Sequence, residues 1–125
     1  MTSSRSFKDL LVWQRSMEVA KNVYKITKQF PRSEEFGLSS QLRRCAVSVA
    51  SNIAEGSKRG TQKDFLQFLR TAMGSAAELE TQLLIAKDEY EGVDYAKVFG
   101  LLDEVQRMLN KLALSMQTVK SVTKN

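Results

Sequence analysis

The sequence contains no histidine, one cysteine (Cys45) and one proline (Pro31) among 125 residues, and only 8% of it is aromatic. A single thiol closes no intrachain disulfide. Without an imidazole or a second thiol there is no zinc site of the usual Cys/His type, no Ser-His or Cys-His nucleophile pair and no histidine acid–base chemistry. Long apolar runs are missing as well. The longest near the start, Leu10-Leu11-Val12-Trp13, is too short for a signal-peptide core or a bilayer span. A soluble cytoplasmic protein with no membrane contact is therefore expected, and a free cysteine fits a reducing compartment.

The breakers are as sparse as the cysteines. Phe30-Pro31, Gly37, Gly56 with Gly60, and Gly92 punctuate four long stretches rich in Leu, Ala, Lys, Glu, Gln and Met, all good helix formers. No strand-like alternation competes with them. At this length one domain of residues 1–125 is the natural expectation, an all-α, antiparallel up-down four-helix bundle with helices over about 7–29, 38–55, 62–90 and 95–119. At ~25 residues each, such helices would be about 37 Å long.

The apolar spacing supports each helix. Leu10, Trp13, Met17, Ala20 and Tyr24 fall on one face of the first, which Ser6 is placed to cap with Asp9 at the box position. A second stripe, Val12, Val19, Val23 and Ile26, lies about 130° away, so the apolar arc is unusually wide. In the second helix Leu38, Leu42, Cys45, Val49 and Ile53 form one face, while Val47, Ala50 and Ala54 project from another. A helix apolar on two sides is normally covered on both. Gly56 is placed to end it in the left-handed conformation. The third stripe, Phe65 through Leu69, Ala72, Ala76, Leu79, Leu83 and Ala86 to Tyr90, alternates fours and threes from a Thr61 cap. The fourth repeats that pattern with Val98, Leu102, Val105, Leu109, Leu112, Met116 and Val119, after which residues 120–125 are expected to fray.

Helix two also carries a polar stripe, Gln41, Arg44, Ser48, Asn52, Glu55 and, past the turn, Arg59, that flanks its packing face. Charges at such a margin need partners, and Arg43 or Arg44 is expected to pair with Glu78 or Glu80, between helices two and three or between subunits. The plainest role for Gln41, Arg43, Arg44, Asn52, Glu55, Glu78 and Glu80 is a structural or interface network that sets register, ahead of carboxylate catalysis by Glu55, Glu78 and Glu80. Gly74 and Ser75, with Ser48, Ala50 and Ser51, suggest a close helix approach. Cys45 reads as a small core side chain.

Charge is unevenly distributed. Residues 1–63 hold 12 basic and 5 acidic side chains, net +7, and residues 64–125 hold 7 and 9, net −2. Lys21, Lys25 and Lys28 form one strip of helix one, and Lys58, Arg59 and Lys63 cluster at the turn between helices two and three. Such cations either keep a surface solvated or attract phosphate backbones through counterion release. With no aromatic residues interleaved among them, they would hold nucleic acid by charge and shape, not by reading bases.

Several motifs together carry a resemblance. Phe7-x-x-Leu10-x-Val12-Trp13-Gln14, Phe30-Pro31-x-x-Glu34-x-x-Gly37-Leu38-x-x-Gln41-x-Arg43-Arg44, Val47-Ser48-Val49-x-x-Asn52-Ile53-Ala54-Glu55-Gly56 and Gly74-Ser75-x-x-Glu78-Leu79-Glu80 resemble the four-helix-bundle proteins encoded in 23S rRNA intervening sequences. Cys45, where alanine is more usual, and Phe36 before Gly37 depart from that pattern. The resemblance implies a homopentamer, and kinship with accessory proteins of diversity-generating retroelements that bind a reverse transcriptase and nucleic acid. Five copies would gather a charge of about +25. The resulting expectation is a non-enzymatic oligomer, without cofactor or metal, that binds structured RNA such as rRNA. The alternative is a scaffold or accessory subunit for an RNA-processing or reverse-transcribing enzyme.

Overall fold

The computed structural model describes residues 6–124, with side chains as far as residue 117. Four helices, α1 (Leu11–Thr27), α2 (Leu38–Ser57), α3 (Gln62–Glu89) and α4 (Ala96–Lys124), form an all-α bundle with no strand among the described residues. Each helix packs on its neighbour in sequence and α4 closes back on α1, while among the described residues no helix packs across a diagonal. On α2 and α3, Ser48 meets Ser75 and Gln41 meets Gln82, so numbers rise on one helix as they fall on the other. Gln106 with Glu80 and Tyr95 with Ala86 show the same inverse order between α4 and α3. The bundle is therefore antiparallel and up-down.

The expected stripes of α3 and α4 line its centre. Leu69, Leu79, Leu83, Val98, Val105 and Leu109 are fully buried, and one core joins them to Leu42, Val49 and Ile53 of α2. Each such side chain contributes roughly 1.5–3 kcal/mol through burial. On α1 it is the second stripe, Val12, Val19, Val23 and Ile26, that enters the core. The Trp13/Met17/Tyr24 stripe lies at its edge, with Trp13 and Met17 half-buried and Tyr24 exposed.

Several boundaries differ from the sequence reading, each for a local reason. Ser6 caps a separate 3-10 turn, Phe7–Asp9, accepting from the Lys8 amide, and extended Leu10 separates that turn from α1. The turn folds back so that Phe7 meets Trp13 edge-on at 5.2 Å, while Gln14 Nε2 donates to the Lys8 carbonyl at 2.8 Å. Asp9 accordingly takes no part in a capping box on α1. Lengths are also unequal. The 17 residues of α1 and 20 of α2 contrast with 28 in α3 and 29 in α4, or about 26 Å against about 42 Å for the first and third at 1.5 Å per residue.

Gly56 does not end α2, which continues to Ser57; the positive φ belongs to Gly60, at 94°. Gly56 instead makes room for α3, because a Cβ there would lie 2.6 Å from Phe68 Cβ. Thr61 caps α3 as expected, its hydroxyl accepting from the Asp64 amide, and Asp94 accepts from the Ala96 amide before α4. Between α1 and α2, Tyr90 of the α3 end donates its hydroxyl to Glu34, which also accepts from the Leu38 amide. α4 runs on to Lys124, past the end expected at 119, so the fraying expected from residue 120 does not occur as far as Lys124, while the side chain of Val119 and residue 125 lie outside the described residues.

Candidate functional site

The outer side of α2 is flanked by two grooves. Toward α1, Trp13, Met17, Ala20 and Tyr24 face Val47, Ala50, Ser51 and Ala54 across an open, mostly apolar groove of about 590 Å³, with Phe7 at one end and Lys21 on its rim. This groove is lined by the first stripe of helix one and the Val47/Ala50/Ala54 face of helix two. The same two helices bury their other faces in the core, and among the described residues Trp13, Met17, Tyr24 and Val47 are left partly or largely uncovered along the groove.

Toward α3 lies a larger, more polar groove of about 1220 Å³, lined by Gln41, Arg44, Cys45 and Ser48 of α2 and Ser75, Glu78 and Gln82 of α3. Phe36, 92% exposed, stands at its lip. Tyr24 and Val47 border both grooves. On the polar floor, Ser48 and Ser75 share a 2.8 Å hydrogen bond, and Asn52 Nδ2 donates to the Ser48 carbonyl and hydroxyl. Gln82 Nε2 donates to Gln41 Oε1 at 3.4 Å, whereas the buried Gln82 Oε1 has no partner. Burial, then the nearby Glu78 charge, push the Cys45 thiol up, which disfavours the thiolate and suits the core role expected for it.

The expected Arg–Glu pair between α2 and α3 does not form within the chain. Arg43 turns toward α1, where its Nε donates to Thr27 Oγ1 at 2.9 Å and its guanidinium lies 4.9 Å from the centre of the Tyr24 ring. Glu80 turns the other way and accepts from Gln106 of α4 at 3.1 Å. Arg44 and Glu78 remain exposed on the polar groove, and neither is in an ion pair among the described residues. Glu55 pairs with Arg59 one turn on, at 2.8 Å. The close approach expected around Gly74 is made by Ser75 alone, since a Cβ on Gly74 would meet nothing. Of the small residues on α2, Ala50 faces the apolar groove and Ser51 is exposed on its rim.

All six candidate nucleic-acid cations, Lys21, Lys25, Lys28, Lys58, Arg59 and Lys63, are exposed. The fold does not gather them into one patch. Because Thr27 lies opposite Arg43, Lys28 sits near the start of α2, while Lys58, Arg59 and Lys63 lie beyond its end, about 24 Å away along the axis at 1.5 Å per residue. Lys21 and Lys25 extend the first group along α1. Arg59 is partly neutralised by Glu55 and lies 4.9 Å from the centre of the Phe68 ring, and among the described residues ion pairs take none of the other five.

Sequence reasoning missed the grooves themselves, and with them Phe36, Tyr24 and Gln82. The wide apolar arcs were the one signal of an uncovered face; the polar groove exists only where α2 and α3 meet.

Among the described residues, no cluster of three or more Cys, Asp or Glu side chains could hold a metal, and no helix is long and apolar enough to cross a membrane. The architecture is that of a small up-down helical bundle with open grooves flanking one helix and cations at its periphery. The match narrows further: residues 8–111 fit the 23S rRNA-intervening sequence protein family, and the chain belongs to that family. A solved structure from Bacteroides thetaiotaomicron VPI-5482, described as a protein with unknown function from the S23 ribosomal protein family, shares the fold. It has a TM-score of 0.72 at 24% identity, covering 82% of this chain and 98% of that one. No curated protein matches the chain.

Proposed function

We propose that the chain is a non-enzymatic, oligomeric RNA-binding bundle of the cytoplasm that holds structured RNA, ribosomal RNA in particular, by charge. The observation that carries this reading is the exposure of Lys21, Lys25, Lys28, Lys58, Arg59 and Lys63, five of them outside any ion pair among the described residues, as one group along α1 and a second beyond the end of α2. A phosphate backbone can bridge such groups; a compact anion cannot. The family name places the genes of such proteins within 23S rRNA sequences, which makes ribosomal RNA the polyanion to test first.

The apolar α1/α2 groove supports self-association, since an open apolar face of this kind is commonly covered by a partner. A ring, a homopentamer in the fullest form of this reading, would multiply weak phosphate contacts. The same groove favours a second reading, a scaffold or accessory subunit whose partner is an RNA-processing or reverse-transcribing enzyme.

Titration of the purified protein against 23S rRNA fragments over a salt series tests the first reading. Affinity that falls steeply with salt is expected. Affinity indifferent to salt, or no binding by folded oligomer at low salt, contradicts it, and a protein partner retained from the native source at high salt would favour the second.

A further inference from the structure

We propose that Phe36 of one copy of the chain plugs the apolar α1/α2 groove of a second copy, with Glu35 beside it pairing with Lys21 on the groove's rim. The inference rests on the self-association reading above and deepens it by naming the two surfaces that meet.

Phe36 is the most exposed large apolar side chain among the described residues, at 92%. It does not sit on a slack loop. Glu34 accepts from the Tyr90 hydroxyl and the Leu38 amide, the Gly37 amide donates to the Glu34 carbonyl at 3.0 Å, and Phe30 packs on Tyr90 with ring centres 5.0 Å apart. These ties fix the link between α1 and α2 to the end of α3, so the ring is presented as a knob that loses little conformational freedom on docking. They also keep it out of the groove of its own chain, whose lining does not include it.

The groove offers the cover that the knob lacks. Trp13, Met17 and Tyr24 on one wall and Val47, Ala50 and Ala54 on the other leave about 590 Å³ open, ample for a phenyl ring. Aromatic side chains seated in such pockets are the usual anchors of protein interfaces. Charge points to this occupant in particular. Glu35 adjoins the knob and Lys21 stands on the rim, both exposed and both outside any ion pair among the described residues. An acidic knob and a basic rim complement each other between copies. Because knob and groove are different surfaces of one chain, each copy can give one contact and receive another. Lys25 and Lys28 do not line the groove and stay outside the contact.

The test separates the two surfaces by complementation, without RNA. Phe36→Asp removes the knob and keeps the groove; Val47→Glu blocks the groove and keeps the knob. Both side chains are exposed, so each variant should keep its helical circular dichroism. Each alone should associate on the order of thirtyfold or more weakly than the parent. Light scattering of their equimolar mixture should give twice the 14.1 kDa of one chain, since one intact knob then meets one intact groove. Trp13, the single tryptophan, lines the groove and reports its occupancy: emission of Phe36→Asp should shift to the blue when Val47→Glu is added. Glu35→Lys should weaken assembly, and Lys21→Glu in the same chain should restore it. An oligomer that survives Phe36→Asp but not Val47→Glu, or variants that remain single chains when mixed, would overturn the inference and leave self-association through the groove standing. A Trp13 shift produced by a 23S rRNA fragment and not by mixing would give the groove to RNA and overturn it too. A parent that is one chain at every concentration would overturn both the inference and the self-association reading, whatever RNA it binds.

Discussion

Two glycines on neighbouring helices show how much one hydrogen in place of a methyl can decide. Gly56 faces Phe65 and Phe68 so closely that an added Cβ would fall 2.6 Å from Phe68 Cβ, whereas Gly74 faces open space. Gly56→Ala should therefore destabilise the fold by about 1–3 kcal/mol through overpacking. Gly74→Ala should stabilise it by up to about 1 kcal/mol through helix propensity. Urea denaturation of the two variants beside the parent checks both signs. A second residue-scale feature is the hydrogen bond from Tyr90 to Glu34. Tyr90's hydroxyl, then the Leu38 amide, hold the Glu34 carboxyl below its ordinary value, while the bond to Glu34, ahead of burial, pushes Tyr90 up to about 12. A depressed carboxyl contributes stability above its unfolded pKa and loses it as pH falls through the lowered folded value. A raised phenol contributes below its ordinary pKa, about 10, and loses that contribution as pH rises through about 12. Tyr90→Phe should flatten the stability–pH profile at both ends, with acid and alkaline unfolding midpoints as the readout.

Helices three and four were legible in the sequence because each carries one apolar stripe with alternating spacings of four and three, and one core takes up both. Helices one and two carry two stripes each, and spacing alone does not say which is covered. On α1 the valines enter the core because they are the side chains α2 and α4 can enclose, while Trp13, Met17 and Tyr24 are left along the groove. The start of α1 was misplaced because Phe7 packs its ring on Trp13 by folding back, a tertiary advantage that a local capping pattern does not register. The candidate cations were legible as exposed charges, but their separation into two groups follows from the reversal between α1 and α2. The unformed Arg–Glu pair has the same origin, as Arg43 and Glu80 project toward opposite neighbours. If the α1/α2 groove is the self-association surface, Val47→Glu should abolish the oligomer. Val47 is 43% exposed, so the monomer should keep its helical circular dichroism. Light scattering giving a mass near the 14.1 kDa of one chain is the expected outcome for that variant alone, and an unchanged larger assembly would place the interface elsewhere.

Taken as a whole molecule, the bundle carries cations near both ends of α2, grooves along its flanks and a basic first half. Its charge of +5 is the sum of a basic first half and an acidic surplus in the second half of the sequence, in α3, α4 and the link between them. Replacing Lys58, Arg59 and Lys63 by glutamine should weaken RNA binding, and replacing Lys21, Lys25 and Lys28 should do so independently, since the groups are too far apart to share a phosphate. Neither change touches the core; the Lys21/Lys25/Lys28 change should move stability by no more than about 0.5 kcal/mol, while the other also loses the Arg59–Glu55 ion pair and the Arg59 contact with the Phe68 ring and should cost about 0.5–1.5 kcal/mol. The most direct single measurement is the slope of log affinity against log salt for a 23S rRNA fragment, taken for the parent and for the Lys58/Arg59/Lys63→Gln variant. Each phosphate that the variant no longer neutralises should make the slope shallower by roughly 0.7–0.9, so the account predicts a steep parent slope and a variant shallower by about two to three such steps. Identical slopes for the two proteins would contradict it.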